Sequence, residues 1–197
     1  YNIDRSKPTL LFVGRITRQK GLPYLLKALH LISKDIQVVL CAGAPDTPEI
    51  AEEVKTAFAK LDEERGNIVW IEEMLPKPEL NALEHGCDAF ICPSIYEPLG
   101  IVNLEAMACE IPVVASAVGG IPEVVDAASG LLVPPRDADA LADALAKALA
   151  QAWDEAAIAR RFSRDWEQGA GDTLLACEEA LAERPGPARA AYAADSA

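Results

Sequence analysis

The chain has 197 residues, of which 51% are apolar and 25% are charged, and this size and composition fit one α/β domain. Its 18 Lys and Arg residues against 31 Asp and Glu residues leave a net charge of −13, which disfavours nucleic acids and anionic membranes as partners. Neither a membrane-spanning apolar run nor a signal-peptide pattern occurs in the sequence, so we expect a cytoplasmic protein.

The five cysteines argue against a zinc site or a disulfide framework, because no C-x-x-C pair occurs and the chain has only two histidines. Cys41 and Cys92 lie inside apolar runs, where thiols act as small hydrophobic side chains. We therefore expect these two thiols to be part of a core and not to be nucleophiles.

Short apolar runs alternate with longer segments of helical periodicity, which is typical of βα units in a parallel sheet. Strands are predicted at residues 9–13, 36–41, 68–71, 89–92, 113–115 and 131–133. Helices are predicted at residues 22–32, 48–64, 78–85, 100–109, 121–127 and 138–150, the last with Asp137 as its N-cap. We expect an α/β fold, a Rossmann-like, doubly wound parallel sheet of about six strands, covered on both faces. Right-handed crossovers place all strand carboxyl ends at one edge, where ligands bind.

After residue 150 the pattern changes to helices without strands. Residues 184–197 have little apolar bulk, so we predict a disordered tail there. The sequence starts with Tyr1 instead of Met, and a predicted strand follows closely. We therefore expect a piece of a longer protein, with one domain over residues 1–183.

The first turn after a strand, residues 14–21, reads G-R-I-T-R-Q-K-G. It matches neither the G-x-G-x-x-G pattern of dinucleotide-binding folds nor the P-loop pattern, so a dehydrogenase and a P-loop nucleotidase are both disfavoured. Arg15 and Lys20 can reach one phosphate group from two sides, the first as a planar fork and the second as a point charge. The alternative is a solvated basic loop, and we expect Arg18 to be solvated in either case.

The segment of residues 93–108, PSIYEPLGIVNLEAMA, is predicted to leave the fourth strand, turn, and enter a helix at the same edge. The free N–H groups of a helix N-terminus form a ready anion site. Glu97 and Glu105 are separated by up to roughly 12 Å if the segment is helical. Carboxylates accept hydrogen bonds from hydroxyls, so this spacing fits the two ends of a nucleotide sugar. The alternative is that Glu97 only favours the helix dipole and Glu105 faces solvent.

These segments together resemble a known family. The matching motifs are Gly14-Arg15 with Lys20-Gly21, the residue 93–108 block, P-V-V-A-S from Pro112, G-G-I-P-E from Gly119, and G-L-L-V-P from Gly130. In this order they resemble the retaining group-1 glycosyltransferases of the GT-B fold, and specifically their C-terminal, donor-binding domain. The sequence departs from the family pattern at Leu99, where Phe is usual, and at Glu73 and Glu110, where Gly is usual.

The resemblance implies roles for the site residues. Arg15 and Lys20 would bind the donor diphosphate and stabilise it as the leaving group. Glu97 would lie against the donor sugar, and Glu105 would bind the ribose hydroxyls. The other donor contacts that it implies come from Gly14, Met74 beside the base, and the backbone amides of Gly100, Ile101 and Val102.

Residues 13–28 and 41–48 also resemble actinobacterial-type glycogen synthases. This implies transfer of glucose from ADP-glucose or UDP-glucose, with ADP-glucose favoured, to an α-glucan such as glycogen, with no metal or other cofactor. Two alternatives stay open: a group-1 enzyme with another nucleotide sugar and a sugar-phosphate or lipid acceptor, and a non-catalytic nucleotide-sugar-binding module.

The acceptor side of such an enzyme is expected to lie in an N-terminal domain that this sequence does not contain. Residues 163–183 resemble the family's crossover helix, which packs on that domain. We therefore expect this chain alone to bind the donor without catalysing transfer.

Overall fold

The computed structural model describes residues 1–163 and 165–182, and it divides at residue 162 into two compact units. The first unit holds a six-stranded parallel sheet with helices on both faces, which confirms the predicted Rossmann-like, doubly wound fold. Its strands are β1 (Thr9–Arg15), β2 (Gln37–Gly43), β3 (Ile68–Ile71), β4 (Ala89–Cys92), β5 (Val113–Ser116) and β6 (Gly130–Val133). Its helices are α1 (Leu22–Leu29), α2 (Pro48–Arg65), α3 (Lys77–Glu84), α4 (Ile101–Ala108), α5 (Ile121–Val124), α6 (Ala138–Ala150) and α7 (Glu155–Phe162).

The strand order is β3-β2-β1-β4-β5-β6. The chain therefore moves outward from β1 to β3, then returns to place β4 beside β1, where Leu10 pairs with Ala89 and Leu11 with Phe90. The crossovers after β1 and β4 run in opposite directions, which opens a crevice between them at the carboxyl ends of the strands. The first turn follows β1, and the residue 93–108 block follows β4.

The side chains of β1 alternate between two buried clusters, one on each face of the sheet. Leu10 and Phe12 join the cluster beneath α1, α2 and α6, whereas Leu11 joins the cluster beneath α4, α5 and α7. All three side chains are at most 2% exposed. Fully burying an apolar side chain of this size contributes about 1.5–3 kcal/mol, so the packing of both faces fixes the position of the first turn.

The boundaries differ from the predictions where pairing or a local turn overrides the pattern. β1 and β2 extend to Arg15 and Gly43, because these two residues still pair with each other. α5 stops at Val124, because residues 126–129 form a turn in which Ser129 N–H donates to the Asp126 carbonyl at 3.0 Å. The two edge strands are covered less fully than the central ones. The first three residues of β3 are half-buried, with Ile68 and Trp70 packed on one cluster and Val69 on the other. In β6, Leu132 is 39% exposed. Asp137 caps α6 as predicted, accepting from Ala140 N–H at 2.9 Å.

The second unit contributes one described helix, α8 (Trp166–Ala182). Asp165 accepts from Gln168 N–H at 2.8 Å, and the Gln168 side chain accepts from Asp165 N–H at 3.2 Å, which is a capping box. The assignment of residues 163–183 as a crossover helix stays a prediction, and the predicted tail at 184–197 lies outside the described residues. Within the described ranges, no helix has the length and apolarity to cross a bilayer.

α4 ends in a Schellman motif at the position of an unusual residue. Ile111 N–H donates to the Ala106 carbonyl and Glu110 N–H to the Met107 carbonyl, each at 3.2 Å. Glu110 takes a left-handed conformation with φ of 71°. A residue with a side chain is strained in this conformation, whereas glycine is not. Glycine is therefore the preferred residue at this position of the motif, and Glu110 is less favourable there.

We expect Glu110→Gly to raise the free energy of unfolding by about 1 kcal/mol, because it removes the left-handed strain. Glu52→Gly is the matched control, since Glu52 is exposed inside α2, and it should lower the free energy by about 1 kcal/mol. Urea denaturation of the three proteins measures both changes. A loss of stability in Glu110→Gly would contradict this interpretation of the helix end.

Candidate functional site

A cleft of about 330 Å³ lies at the carboxyl ends of β1, β2 and β3, and we call it the edge cleft. Its polar and glycine lining consists of Gly14, Arg15, Lys20, Gly43 and Glu73. Its apolar lining consists of Val13, Cys41, Met74, Leu75, Leu80 and Val102. A larger groove of about 680 Å³ is lined by α2 alone and includes no residue from a strand end. The edge cleft is therefore the candidate site, because it combines cations with apolar walls at the crevice of the sheet.

Lys20 and Glu97 meet across this crevice. Lys20 Nζ lies 2.6 Å from Glu97 Oε2, and Ser94 Oγ donates to the same oxygen at 3.4 Å. The two side chains are only 23% and 11% exposed, so solvent screens their attraction less than that of a surface pair. The structure thus brings together the first turn and the residue 93–108 block, as the sequence predicts.

Backbone contacts hold these two loops against each other. Ile95 N–H donates to the Gln19 carbonyl at 2.8 Å, and Gln19 Nε2 donates to the Tyr96 carbonyl at 3.0 Å. Gly21 has φ of 68°, and a Cβ at this position would lie 1.9 Å from the Pro93 carbonyl oxygen. Only glycine permits this approach, so the second glycine of the first turn is required for the Lys20–Glu97 contact.

Arg15 is held differently from Lys20. Its guanidinium pairs with Asp46, in the loop after β2, and the two side chains are 59% and 44% exposed. Ion pairs this exposed contribute about 0–1 kcal/mol, so an anionic ligand can displace Asp46 at little cost. Arg18 pairs with Glu53 at 3.1 Å, is 70% exposed and does not line the edge cleft, which agrees with its predicted solvation.

The turn that carries Glu97 leads into the N-terminus of α4. Gly100 occupies the N-cap in a left-handed conformation and offers no side chain to accept from the first N–H groups. Gly119 packs on the same turn, since a Cβ there would lie 1.8 Å from the Glu97 carbonyl oxygen. Gly120 N–H donates to the Pro98 carbonyl at 3.0 Å. The Gly119-Gly120 pair of the sequence motif therefore packs against the turn that carries Glu97 and stabilises it.

Glu105, farther along α4, pairs with Lys77 at the start of α3. The hydrogen bond to Glu105 raises the pKa of Lys77 above its usual value. Both are partly exposed, at 59% for Lys77 and 35% for Glu105. A ligand hydroxyl can therefore reach the Glu105 carboxylate, in competition with the Lys77 ammonium.

The loop after β3 supplies the outer wall of the edge cleft. Met74 is 84% exposed, which is unusual for a large apolar side chain and leaves it available to a flat ligand group. The neighbouring Glu73, one of the departures from the family pattern, accepts from the Tyr1 hydroxyl at 3.0 Å. This bond raises the pKa of Tyr1 to about 12.

Cys41 lines the cleft without being a nucleophile. It is 7% exposed, and burial raises the pKa of its thiol to about 11. Cys92 is 3% exposed. Both thiols belong to the core, as their place in apolar runs predicts.

Some of the predicted site residues line the edge cleft, and the others lie outside its lining. Five of them line the edge cleft directly: Gly14, Arg15, Lys20, Met74 and Val102. Glu97 is connected to the edge cleft by its ion pair with Lys20. Glu105 does not line the cleft, and neither does its partner Lys77. Gly100 shapes the turn before α4, and Ile101 is 60% exposed in the first turn of that helix. Sequence reasoning missed the partners Asp46 and Lys77, which lie outside the motifs. It also gave no role to Gln19, although Gln19 belongs to the first turn.

Comparison with known proteins decides the family. The model described as "Glycosyl transferases group 1" matches residues 1–166. This chain belongs to that family. The sequence is 57% identical over 132 residues to an alpha-maltose-1-phosphate synthase of Mycolicibacterium smegmatis, covering 66% of this chain and 34% of the relative. It is 33% identical over 188 residues to a D-inositol 3-phosphate glycosyltransferase of Xylanimonas cellulosilytica, covering 91% of this chain and 44% of the relative.

Among solved structures, the chain resembles a sucrose-phosphate synthase from Thermosynechococcus elongatus. The TM-score is 0.70 at 31% identity, covering 93% of this chain and 48% of that chain. The likeness agrees with the Rossmann-like half of a GT-B fold that the motifs imply. This group-1 glycosyltransferase chain spans less than half the length of each of these three relatives.

Proposed function

We propose that the chain is the donor-binding half of a retaining glycosyltransferase that transfers a hexosyl group from a nucleotide diphosphate sugar to a sugar phosphate. The observation that carries the proposal is the meeting of Lys20 with Glu97, beside Arg15, at the crevice between β1 and β4. Such a crevice is where open parallel sheets bind their ligands. In a chain with net charge −13, these cations form a local site for an anion.

The donor diphosphate is assigned to Arg15 and Lys20. In the ligand-free chain both cations are held by carboxylates, Arg15 by Asp46 and Lys20 by Glu97. A diphosphate offers each of them oxygen acceptors of higher charge, and the N-terminus of α4 adds backbone N–H groups. Glu97 is then free to accept hydrogen bonds from the donor sugar, as Glu105 accepts them from the ribose.

The transfer step needs no side-chain nucleophile. The bond between the sugar C1 and the diphosphate oxygen breaks, and the acceptor hydroxyl oxygen forms a new bond to C1 on the same face. The proton of that hydroxyl passes to the departing diphosphate. Arg15 and Lys20 stabilise the negative charge that develops on the diphosphate. This stabilisation is the main contribution of the donor-binding half to catalysis.

The choice of a sugar phosphate as acceptor is supported by the relatives. An alpha-maltose-1-phosphate synthase, a D-inositol 3-phosphate glycosyltransferase and a sucrose-phosphate synthase all carry a phosphorylated sugar or polyol in their names. This favours the alternative of the sequence analysis over transfer to glycogen. The acceptor is assigned to the part of the longer protein that this chain does not include.

We expect a full-length protein carrying this chain to release nucleoside diphosphate from ADP-glucose or UDP-glucose when a hexose phosphate is added. A coupled assay for the released diphosphate, with hexose phosphates and glycogen as parallel acceptors, measures this. Release with glycogen alone would contradict a sugar-phosphate acceptor, and release with neither, despite donor binding, would support a non-catalytic module.

We expect Arg15→Ala and Lys20→Ala in that full-length protein each to lower kcat by about 100-fold to 1000-fold, because each removes a charge that stabilises the leaving group. Arg18→Ala is the matched control, since Arg18 belongs to the same turn but pairs with Glu53 on the surface. The same assay measures all three variants. Near-normal turnover of both Arg15→Ala and Lys20→Ala would overturn the assignment of the diphosphate.

The roles of the two carboxylates can be separated by calorimetry with this chain. We expect Glu105→Ala to weaken binding of a nucleoside diphosphate and of the nucleotide sugar by a similar factor of about 10, because both ligands carry the ribose. Glu97→Ala should weaken only the nucleotide sugar, because the free diphosphate has no hexose and the variant leaves Lys20 without a competing carboxylate. Equal losses for both ligands in Glu97→Ala would contradict its assignment to the sugar.

A further inference from the structure

α4 contains a buried side-chain amide whose polar atoms are not hydrogen-bonded. Asn103, in the first turn of the helix, is 0% exposed. Neither its Nδ2 nor its Oδ1 has a hydrogen-bond partner within the described part of the chain. Buried polar groups in native proteins are nearly always paired, because an unpaired one loses its bonds to water without replacement. Asn103 therefore needs an explanation beyond the packing of the ligand-free protein.

Gln37 shows that the same fold satisfies a buried amide elsewhere. This side chain is 3% exposed at the start of β2, on the edge opposite the edge cleft. Its Oε1 accepts from Asp4 N–H at 2.8 Å, and its Nε2 donates to Thr9 Oγ1 at 3.0 Å. Asn103 differs from Gln37 in lying in the first turn of α4, directly after the turn that carries Glu97, so its missing partners are sought at that turn.

The Asn103 amide lies against the turn that carries Glu97. A Cβ placed on Gly100 would be 2.6 Å from Asn103 Nδ2 and 3.5 Å from Glu97 Cγ. Nδ2 thus faces the α-carbon of Gly100, close to the Glu97 side chain. In the ligand-free chain the Glu97 carboxylate is directed to Lys20 and Ser94. The carboxylate of the turn beside Asn103 is therefore engaged elsewhere in the ligand-free chain.

We propose that Asn103 is a positioning residue for donor binding, whose amide forms its hydrogen bonds with the Glu97–Gly100 turn only when a nucleotide sugar is bound. The inference rests on the proposed function. A diphosphate that takes Lys20 releases Glu97, and the turn can then adjust toward the unpaired amide. The energy of these new bonds favours the donor-bound arrangement, so the ligand-free protein carries an unsatisfied group and the complex does not.

Asn103→Leu tests the proposal, because Leu has a similar branched shape and no polar atoms. We expect its melting temperature to rise by about 2–4 °C, since an unsatisfied amide is removed from the ligand-free state. We expect its affinity for the nucleotide sugar to fall by about 10-fold, since the bound state loses hydrogen bonds. If Leu proves too large to fold in this space, Asn103→Val gives the same pair of readouts.

Gln37→Leu is the matched control, and it should change in the opposite sense. Because both atoms of that amide are already bonded, the melting temperature should fall and the affinity for the nucleotide sugar should stay unchanged. Calorimetry and thermal melting of this chain provide both measurements.

The outcomes separate the inference from the proposed function. Absence of nucleotide-sugar binding by the unmodified chain would overturn the proposed function, and the inference with it. Binding by the unmodified chain and equally tight binding by the Asn103 variant would overturn the inference alone. A fall in both melting temperature and affinity would also overturn it, because Asn103 would then be an ordinary structural residue.

Discussion

The ion pair between Lys20 and Glu97 is the contact on which the candidate site depends. It joins the loop after β1 to the loop after β4, the two strands between which the direction of winding reverses. Two glycines serve this contact, because Gly21 lets the first turn approach Pro93 and Gly119, in the loop after β5, lets that loop pack on the Glu97 turn. The sheet brings the strand ends to one edge, and the backbone contacts then set the distance between opposite charges.

Under the proposed function, the same contact would let a strongly acidic chain bind an anion. The cations of the edge cleft are neutralised by carboxylates in the ligand-free state, so the site carries no uncompensated positive charge. The exposed Arg15–Asp46 pair exchanges at little cost, whereas the less exposed Lys20–Glu97 pair must be replaced by an equally good partner. In the proposed complex, a diphosphate that is attached to a sugar would supply both replacements, phosphate oxygens for Lys20 and hydroxyl groups for Glu97. In this proposal the carboxylates are partners of the cations before binding, and Glu97 becomes a partner of the sugar after it.

The sequence predicts the fold and the main charged residues because their signals are local. Apolar runs mark the six strands. Arg15, Lys20 and Glu97 follow closely after predicted strands, and right-handed crossovers place the carboxyl ends of all these strands at one edge of the sheet. The order of the strands is not local, so the adjacency of β1 and β4 that brings Lys20 to Glu97 could not be derived from periodicity. The partners Asp46, in the loop after β2, and Lys77, at the start of α3, are brought near only by the arrangement of the strands. The unpaired amide of Asn103 is visible only when its surroundings are known. The early end of α5 depends on a turn in which Ala128 N–H donates to the Asp126 carboxylate at 3.1 Å and Asp126 N–H donates to Ser129 Oγ at 3.1 Å.

A crystal structure of this chain with ADP-glucose or UDP-glucose tests the central claim most directly. We expect the diphosphate oxygens within hydrogen-bonding distance of both Arg15 and Lys20, with Lys20 withdrawn from Glu97 and the Glu97 carboxylate on the sugar hydroxyls. A diphosphate bound outside the edge cleft, or bound there with the Lys20–Glu97 pair intact and Arg15 still on Asp46, would contradict it.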